Sequence, residues 1–284
     1  MSNGTRRALE MPLARTVIRP SHGWVSLDLR ELWAYRELAY FFVWRDLKVR
    51  YKQTFFGALW AVIQPFMLMV VFSLFLGRIS GVAPAGVPYP LFTFAALVPW
   101  TLFSSSLIGS SDSLVSASNL LQKVYFPRLL LPAAATGSYL VDFAIAMLVL
   151  ALMMVYFGVL PTIKVLWLLP LVALAVVTAL AVGIWLSAVN VRYRDVRYAV
   201  PFLVQVWLFA SPVAYSADIV PTKWLWLYQL NPMAGVIEGC RWALLGGAVP
   251  PLGGILISTA ATAVILVTGL AYFRRVERTF ADVI

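Results

Sequence analysis

The chain has 284 residues, 62% hydrophobic and 12% charged, a balance that excludes a soluble domain of ordinary composition. Its net charge of +10 is weak support for nucleic acid, because the cations stand beside long apolar segments, where anionic headgroups attract each by about 1 kcal/mol. Cys240 is the single cysteine, so an intrachain disulfide and a cysteine metal cluster are excluded.

Residues 1–27 are rich in Arg, Pro, Ser and Gly without a clear period and read as a cytoplasmic tail. No long apolar run precedes Phe55; a cleavable signal peptide is therefore not expected, and the first span serves as the targeting signal. A helix is predicted to begin at Asp28, which can cap it together with Glu31 three residues on. Leu29, Leu32, Trp33, Tyr40, Val43, Trp44, Leu47 and Tyr51 recur at helical spacing, with Arg30, Glu37, Arg45, Lys48 and Lys52 opposite. Residues 28–54 thus read as an amphipathic helix in the headgroup layer, although a helix packed on another cytoplasmic element carries the same signature. Arg45, Lys48, Arg50 and Lys52 directly precede the first span. Topology alone accounts for them, since such side chains snorkel to the headgroups. The functional alternative is recruitment of a diphosphate-bearing lipid, because phosphate favours guanidinium and ammonium donors.

Six spans are predicted in residues 55–284: Phe55 to Leu76, Leu91 to Ser111, Ala133 to Phe157, Val165 to Val189, Ala199 to Tyr215 and Gly253 to Phe273. Of the 22 Lys and Arg, only Arg78, Lys164, Lys223 and Arg241 fall on the side away from the tail, which assigns both termini to the cytoplasm. Asp142, inside the third span, is the one clear intramembrane charge; structural pairing and a functional role are equally compatible with it. Gln64 and Gln205 suit interhelical hydrogen bonding. The fifth apolar stretch is the shortest and holds Pro201 and Pro212. After it, Trp224 to Tyr228 and Val236 to Leu244 are predicted as two short helices dipping back from the outer surface. Irregular backbone at membrane depth is tolerated only under protein or a watery cavity, so a gate at the mouth of a passage fits, as does an interfacial hairpin held by the aromatic belt. The expected fold class is an all-α membrane protein with six transmembrane helices, an amino-terminal interfacial helix and outward re-entrant helices between spans five and six.

His22 is the only histidine, no convergent acids appear, and the phosphate-cradling pattern G-x-x-x-x-G-K-[ST] is missing. No catalytic or metal-ligating residue is therefore assigned, and any nucleotide energy has to come from another chain. Ion-coupled transport calls for several intramembrane ionisable groups, and Asp142 alone makes a poor case. The informative segment is Asn119 to Pro132, NLLQKVYFPRLLLP. Leu120, Leu121, Val124, Tyr125 and Phe126 are predicted to form a short amphipathic helix stopped near Pro127. It requires a cover, either a partner surface or the membrane itself.

That segment, together with RDLKVRYKQTFFGALWAVIQP (45–65), NVRYRDVRYAVPF (190–202), SPVAY (211–215), NPMAGVIEGCR (231–241) and the tail ERTFADVI (277–284), resembles the permease subunits of ABC exporters for polysaccharides and polyol phosphates, the Wzm-like and TagG-like group. The resemblance covers nearly the whole chain after Trp24, and the joint order of its motifs carries it. It implies a homodimer with two copies of an ABC ATP-binding subunit, exporting a glycan or teichoic acid on undecaprenyl diphosphate across the bacterial cytoplasmic (inner) membrane. ATP and Mg are then bound by the ATPase, with no cofactor on this chain and no nucleic acid. Residues 55–284 become an ABC transporter transmembrane domain. Asn119, Lys123, Tyr125, Phe126, Pro127 and Arg128 fall at the coupling contact, and Arg45, Lys48, Arg50 and Lys52 flank the place where the lipid enters. Trp60, Phe66, Phe72, Trp207 and Phe209 become channel-lining candidates, because sugar C–H faces stack on rings; lipid-facing or packing roles suit each of them as well. Trp224, Trp226, Tyr228, Asn231, Pro232 and Arg241 fall in the outward gate. Asp195 is expected to pair with a neighbouring Arg, and Glu277 and Asp282 to meet basic residues near the ATPase or the amino-terminal helix.

Two other classes compete with an exporter of O-antigen, capsule, S-layer glycan or teichoic acid type. An integral membrane enzyme acting on polyprenyl-linked sugars would turn over alone and lean on Asp142. A scaffold for envelope assembly would bind partners without nucleotide.

Overall fold

The computed structural model describes residues 29–52, 57–77, 86–247, 249–277 and 280. Among them every regular element is helical. α1 (Leu29–Ala34) and α2 (Arg36–Tyr51) lead into α3 (Trp60–Phe75), α4 (Tyr89–Ser116), α5 (Ser118–Leu121), α6 (Leu130–Tyr156), α7 (Leu168–Arg192), α8 (Val196–Phe209), α9 (Thr222–Gln229), α10 (Pro232–Leu245) and α11 (Leu252–Glu277).

The amino-terminal helix differs from the single element predicted over 28–54. It breaks at Tyr35, whose backbone (φ −93°, ψ 17°) leaves the helical region and caps α2; Asp28 lies outside the described residues. Its buried stripe is also rotated from the predicted one. Phe42 is the buried residue, set against the ring of Phe126 at 5.5 Å, and Leu32, Leu38, Ala39 and Val43 pack beside it. Trp33, Tyr40, Phe41 and Trp44 point outward. The helix packs on α6 and leaves these aromatics exposed.

α4, α6, residues 163–192 and α11 are long and apolar enough to cross a membrane. α3 and α8, at the first and fifth predicted spans, have 16 and 14 residues, which at 1.5 Å per residue is roughly 21–24 Å, short of a core about 30 Å thick. α8 stops at Phe209 where Tyr215 was expected, because Pro212 has no N–H with which to extend it.

α4 is the centre, packing on α3, α6, α7, α8 and α10. All ten residues from Leu91 to Trp100 are buried, so this stretch shows no lipid-facing stripe; a helix apolar all round is a helix surrounded by protein. Further along it small residues take over. A Cβ added at Gly183 on α7 would collide with Ser110, and one at Gly109 with the ring of Tyr139. Small residues let these backbones approach, the usual basis of helix association in lipid. One apolar cluster fills the bundle from Met69 to Leu244 around α4. A second, with Phe42, Leu114, Phe126, Ile184, Phe273 and Phe280, closes the end where α2 meets the loop between α4 and α6.

Candidate functional site

Three groups of residues carry the polar chemistry. The first is the loop joining α4 to α6. The predicted amphipathic helix from Leu120 to Phe126 is cut down to the four residues Ser118–Leu121. Pro127 explains this, since its ring disfavours helical backbone at the preceding Phe126. Instead Phe126 turns inward, 4% exposed, while Val124 and Tyr125 project outward at 51% and 66%. Arg128 donates to the backbone carbonyl of Glu277 and sits over the ring of Phe280 at 5.5 Å, and Phe280 packs edge-on against Phe273. The Glu277 carboxylate pairs with Arg274 at 3.2 Å. Of the six predicted coupling residues, Asn119, Lys123 and Tyr125 are exposed, Pro127 is half-buried, Phe126 is an anchor, and Arg128 is tied to the carboxy-terminal end. Asp282 lies outside the described residues. Asp195 forms no ion pair among the described residues; Arg197, in the first turn of α8, reaches Asp112 on α4 at 3.7 Å instead.

The second group joins α2 to α6. Arg50 Nη1 donates to Asp142 Oδ2 at 2.6 Å, Arg50 Nη2 to Ser138 Oγ at 3.1 Å, and the hydroxyl of Tyr51 to Asp142 Oδ1. The guanidinium also lies 3.9 Å from the centre of the Tyr139 ring. Structural pairing therefore accounts for Asp142, with a partner 92 residues away that only the folded chain supplies. Arg50 and Tyr139 form the shared wall of two cavities, and Asp142 borders the smaller. One, about 230 Å³, lies between α2, α3, α4 and α6 and includes Trp60, Gln64, Thr101 and Ser105. The other, about 500 Å³, runs along α2, α4 and α6 and includes Arg45, Asp46, Asp112 and Ser116. The other predicted cations differ in setting: Arg45 is held by Asp46 at 2.9 Å, Lys48 stands over Trp44 at 5.1 Å, and Lys52 is exposed.

The third group is at the far end, where α8 gives way to residues 210–216. Asn231 caps α10, accepting from Met233 N at 3.0 Å and from Trp207 Nε1 at 3.0 Å, while its amide donates to Ala210 O and Ser211 Oγ. Pro232 occupies the first helical position, where its missing N–H costs nothing. Arg241, only 7% exposed, gathers the loose carbonyls: it donates to Pro212 O at 2.6 Å, Val213 O at 2.6 Å, Tyr215 O at 3.2 Å and Phe92 O at 3.1 Å. Buried backbone that has left a helix needs such donors. Trp224 and Trp226 on α9 are exposed, and Tyr228 is half-buried. Among the channel candidates Trp60, Phe66 and Phe209 face outward; Phe72 is buried edge-on to Phe209 at 6.4 Å, and Trp207 lies edge-on to Phe103 at 5.1 Å. Sequence reasoning missed Glu238, a half-buried carboxylate on α10; its place inside an apolar helical run was the available signal.

Over 258 residues the chain is 30% identical to an O-antigen export system permease protein RfbA of Myxococcus xanthus, covering 89% of this chain and 98% of that one. A protein of the same name from Klebsiella pneumoniae is 27% identical over 84% of this chain and 92% of its own. The polysialic acid transport protein KpsM of Escherichia coli is 23% identical over 82% and 91%. Residues 37–245, which hold all three polar groups apart from the carboxy-terminal contacts, match the family described as ABC-2 type transporter. The chain is a multi-pass membrane protein and belongs to the ABC-2 type transporter family.

Proposed function

We propose that the chain is the permease subunit of an ATP-driven exporter moving an undecaprenyl diphosphate-linked polysaccharide across the bacterial cytoplasmic membrane. O-antigen is the favoured type, with capsule and teichoic acid as relatives in chemistry. In this reading two copies form a homodimer. Each copy crosses the membrane six times with both termini in the cytoplasm, α3 and α8 serve as the short first and fifth spans, and α9 and α10 re-enter from the outer face. Two ATP-binding subunits, carrying ATP and Mg, dock on the loop between α4 and α6. The exposed apolar faces of α3 and α8, with Phe66, Met67, Phe202 and Val206, suit a second copy rather than lipid alone.

The observation that carries the reading is the α4–α6 loop. It offers Val124 and Tyr125 outward and, in the same turn, roots Phe126 among Phe42, Leu114 and Phe280. A force applied at Tyr125 reaches α2 through Phe126 and Phe42, and the carboxy-terminal end through Arg128, without bending a span. Packed interiors pass on such displacements because they deform little. The enzyme reading has no comparable support, since both Asp142 oxygens are engaged by Arg50 and Tyr51.

The test is reconstitution of the chain with its cognate ATPase in inverted vesicles loaded outside with lipid-linked glycan. ATP-dependent movement of the glycan into the lumen, abolished by removing either chain, is expected. Movement without nucleotide, or glycan turnover by this chain alone, would overturn the proposal.

A further inference from the structure

α7 and α11 run side by side in the same direction. At Gly269 they are in close contact, a Cβ there lying 3.0 Å from the Ala181 carbonyl oxygen, and the rings of Trp185 and Tyr272 lie 5.6 Å apart. Nearer their first residues a groove of about 390 Å³ lies between them, where Ala173 and Ala263 contribute only methyl groups and Leu174, Val177 and Leu266 form walls. Its two threonines turn their hydroxyls to protein: Thr259 Oγ1 donates to Ile255 O at 2.7 Å, and Thr262 Oγ1 pairs with Thr178 Oγ1 at 2.8 Å. The lining is therefore hydrocarbon. From Trp167 to Val177, at 1.5 Å per residue, the groove runs about 15 Å, half of a hydrocarbon core about 30 Å thick. That is the depth of one leaflet. A helix about 10–12 Å across needs several times this volume over the same length, whereas a single acyl chain does not.

The mouth of the groove is at Trp167, the last residue of the single turn Ile163–Trp167. Ile163, Leu166 and Leu169 are exposed beside it, as suits a turn at the edge of the lipid chains, and Lys164 on the same turn is half-buried. Its Nζ donates to Gly247 O at 2.7 Å and stands 5.3 Å from the centre of the Trp242 ring, which lies edge-on to Trp167 at 6.1 Å. An ammonium carries three donors and this carbonyl takes one. A lysine and two indole rings at the mouth of a leaflet-deep groove are the arrangement of a headgroup contact.

We propose that the groove between α7 and α11 holds one acyl chain of an anionic glycerophospholipid whose phosphate meets Lys164. The carbon walls accept a flexible chain of leaflet length, and the lysine favours a negative headgroup over a zwitterionic one. The lipid belongs to the leaflet at the Lys164 end, the outer one in the topology proposed above. The inference concerns a lipid bound to a membrane protein, so it stands or falls independently of what is exported.

In the test, the full chain purified in detergent is photolabelled with a phosphatidylglycerol bearing a diazirine midway along one acyl chain. Unlabelled phosphatidylglycerol, phosphatidylcholine with the same chains, and a polyisoprenyl phosphate serve as competitors. Mass spectrometry is expected to map the label to residues 167–177 and 255–266. Phosphatidylglycerol should displace the probe at least about fivefold better than phosphatidylcholine, and Lys164→Gln should remove that preference while leaving the labelled positions unchanged. Ala263→Phe fills the groove from an exposed position and should cut labelling at least tenfold; Ala173→Phe, on the other helix, serves if Ala263→Phe fails to fold. Labelling spread evenly over the exposed faces of α6, α7 and α11 would make the groove part of the ordinary lipid surround and overturn the proposal. Equal competition by phosphatidylcholine, or a Lys164→Gln chain that keeps the preference, would also overturn it. So would displacement by polyisoprenyl phosphate better than by phosphatidylglycerol, which assigns the groove to an isoprenoid chain.

Discussion

Replacing Arg241 by Met leaves a side chain of similar length and removes four hydrogen bonds, to the carbonyls of Phe92, Pro212, Val213 and Tyr215. Three of those carbonyls belong to residues 210–216, which follow the end of α8 and have no helix to satisfy them. Each buried carbonyl left without a donor costs about 1–3 kcal/mol, so the gross loss is roughly 3–9 kcal/mol. Removing the guanidinium returns part of this, because its own desolvation costs several kcal/mol. The net destabilisation expected is about 3–5 kcal/mol, the range for breaking a buried charge off its partners. At roughly 2–4 °C per kcal/mol for a chain of this size, the apparent Tm of the purified protein in detergent should fall by about 10 °C. Arg241→Lys should recover less than half of the loss, since one ammonium cannot address carbonyls on both sides as a planar fork does. A Met variant melting within about 2 °C of the parent, or a Lys variant indistinguishable from it, would refute the claim that Arg241 holds this segment together.

Three further outcomes follow from the packing. Val124→Ala with Tyr125→Ala, both exposed, should leave the unfolding free energy within about 0.5 kcal/mol of the parent yet reduce association with the ATPase at least tenfold in a pull-down, whereas Phe126→Ala, at 4% exposure, should cost about 3–5 kcal/mol in thermal unfolding. Gly235→Ala places a methyl group against the backbone carbonyl of Gly254 and 2.6 Å from Ser258 Oγ, so α10 must lift from α11; a loss of at least 1–3 kcal/mol, with faster proteolysis near α10, is expected by thermal melt and limited digestion. Phe280→Ala empties a position 1% exposed and should cost about 3 kcal/mol while slowing coupled ATP hydrolysis, because Arg128 loses the ring it rests on.

The long apolar helices and the family motifs were legible because they depend on local composition and order along the chain. Period and hydropathy located α4, α6, α7 and α11 within a few residues. What escaped was set by distant partners. Phe42, left out of the predicted apolar face, is buried because Phe126 meets it from a loop far along the chain, and its rotation relative to Trp33 and Trp44 follows from that contact. The coupling helix was overextended because apolar residues at helical spacing outweighed the effect of Pro127 on Phe126. Asp142 was conspicuous, yet its answer, Arg50, stood in a basic run that topology already explained. Arg241 was grouped with the gate by its motif, and only the carbonyls of residues 212–215 disclose its work as a clamp.

The central claim is that this chain is driven by a separate ATPase through the α4–α6 loop. Its most direct test is disulfide cross-linking: a cysteine at Tyr125, the native Cys240 being buried, is paired with cysteines scanned across the ATPase surface in native membranes. A stoichiometric cross-link to a single groove, whose formation rate changes between nucleotide-free and ATP-bound states, is the predicted result. Cross-linking to no ATPase position, with glycan export continuing in the same cells, would contradict the account.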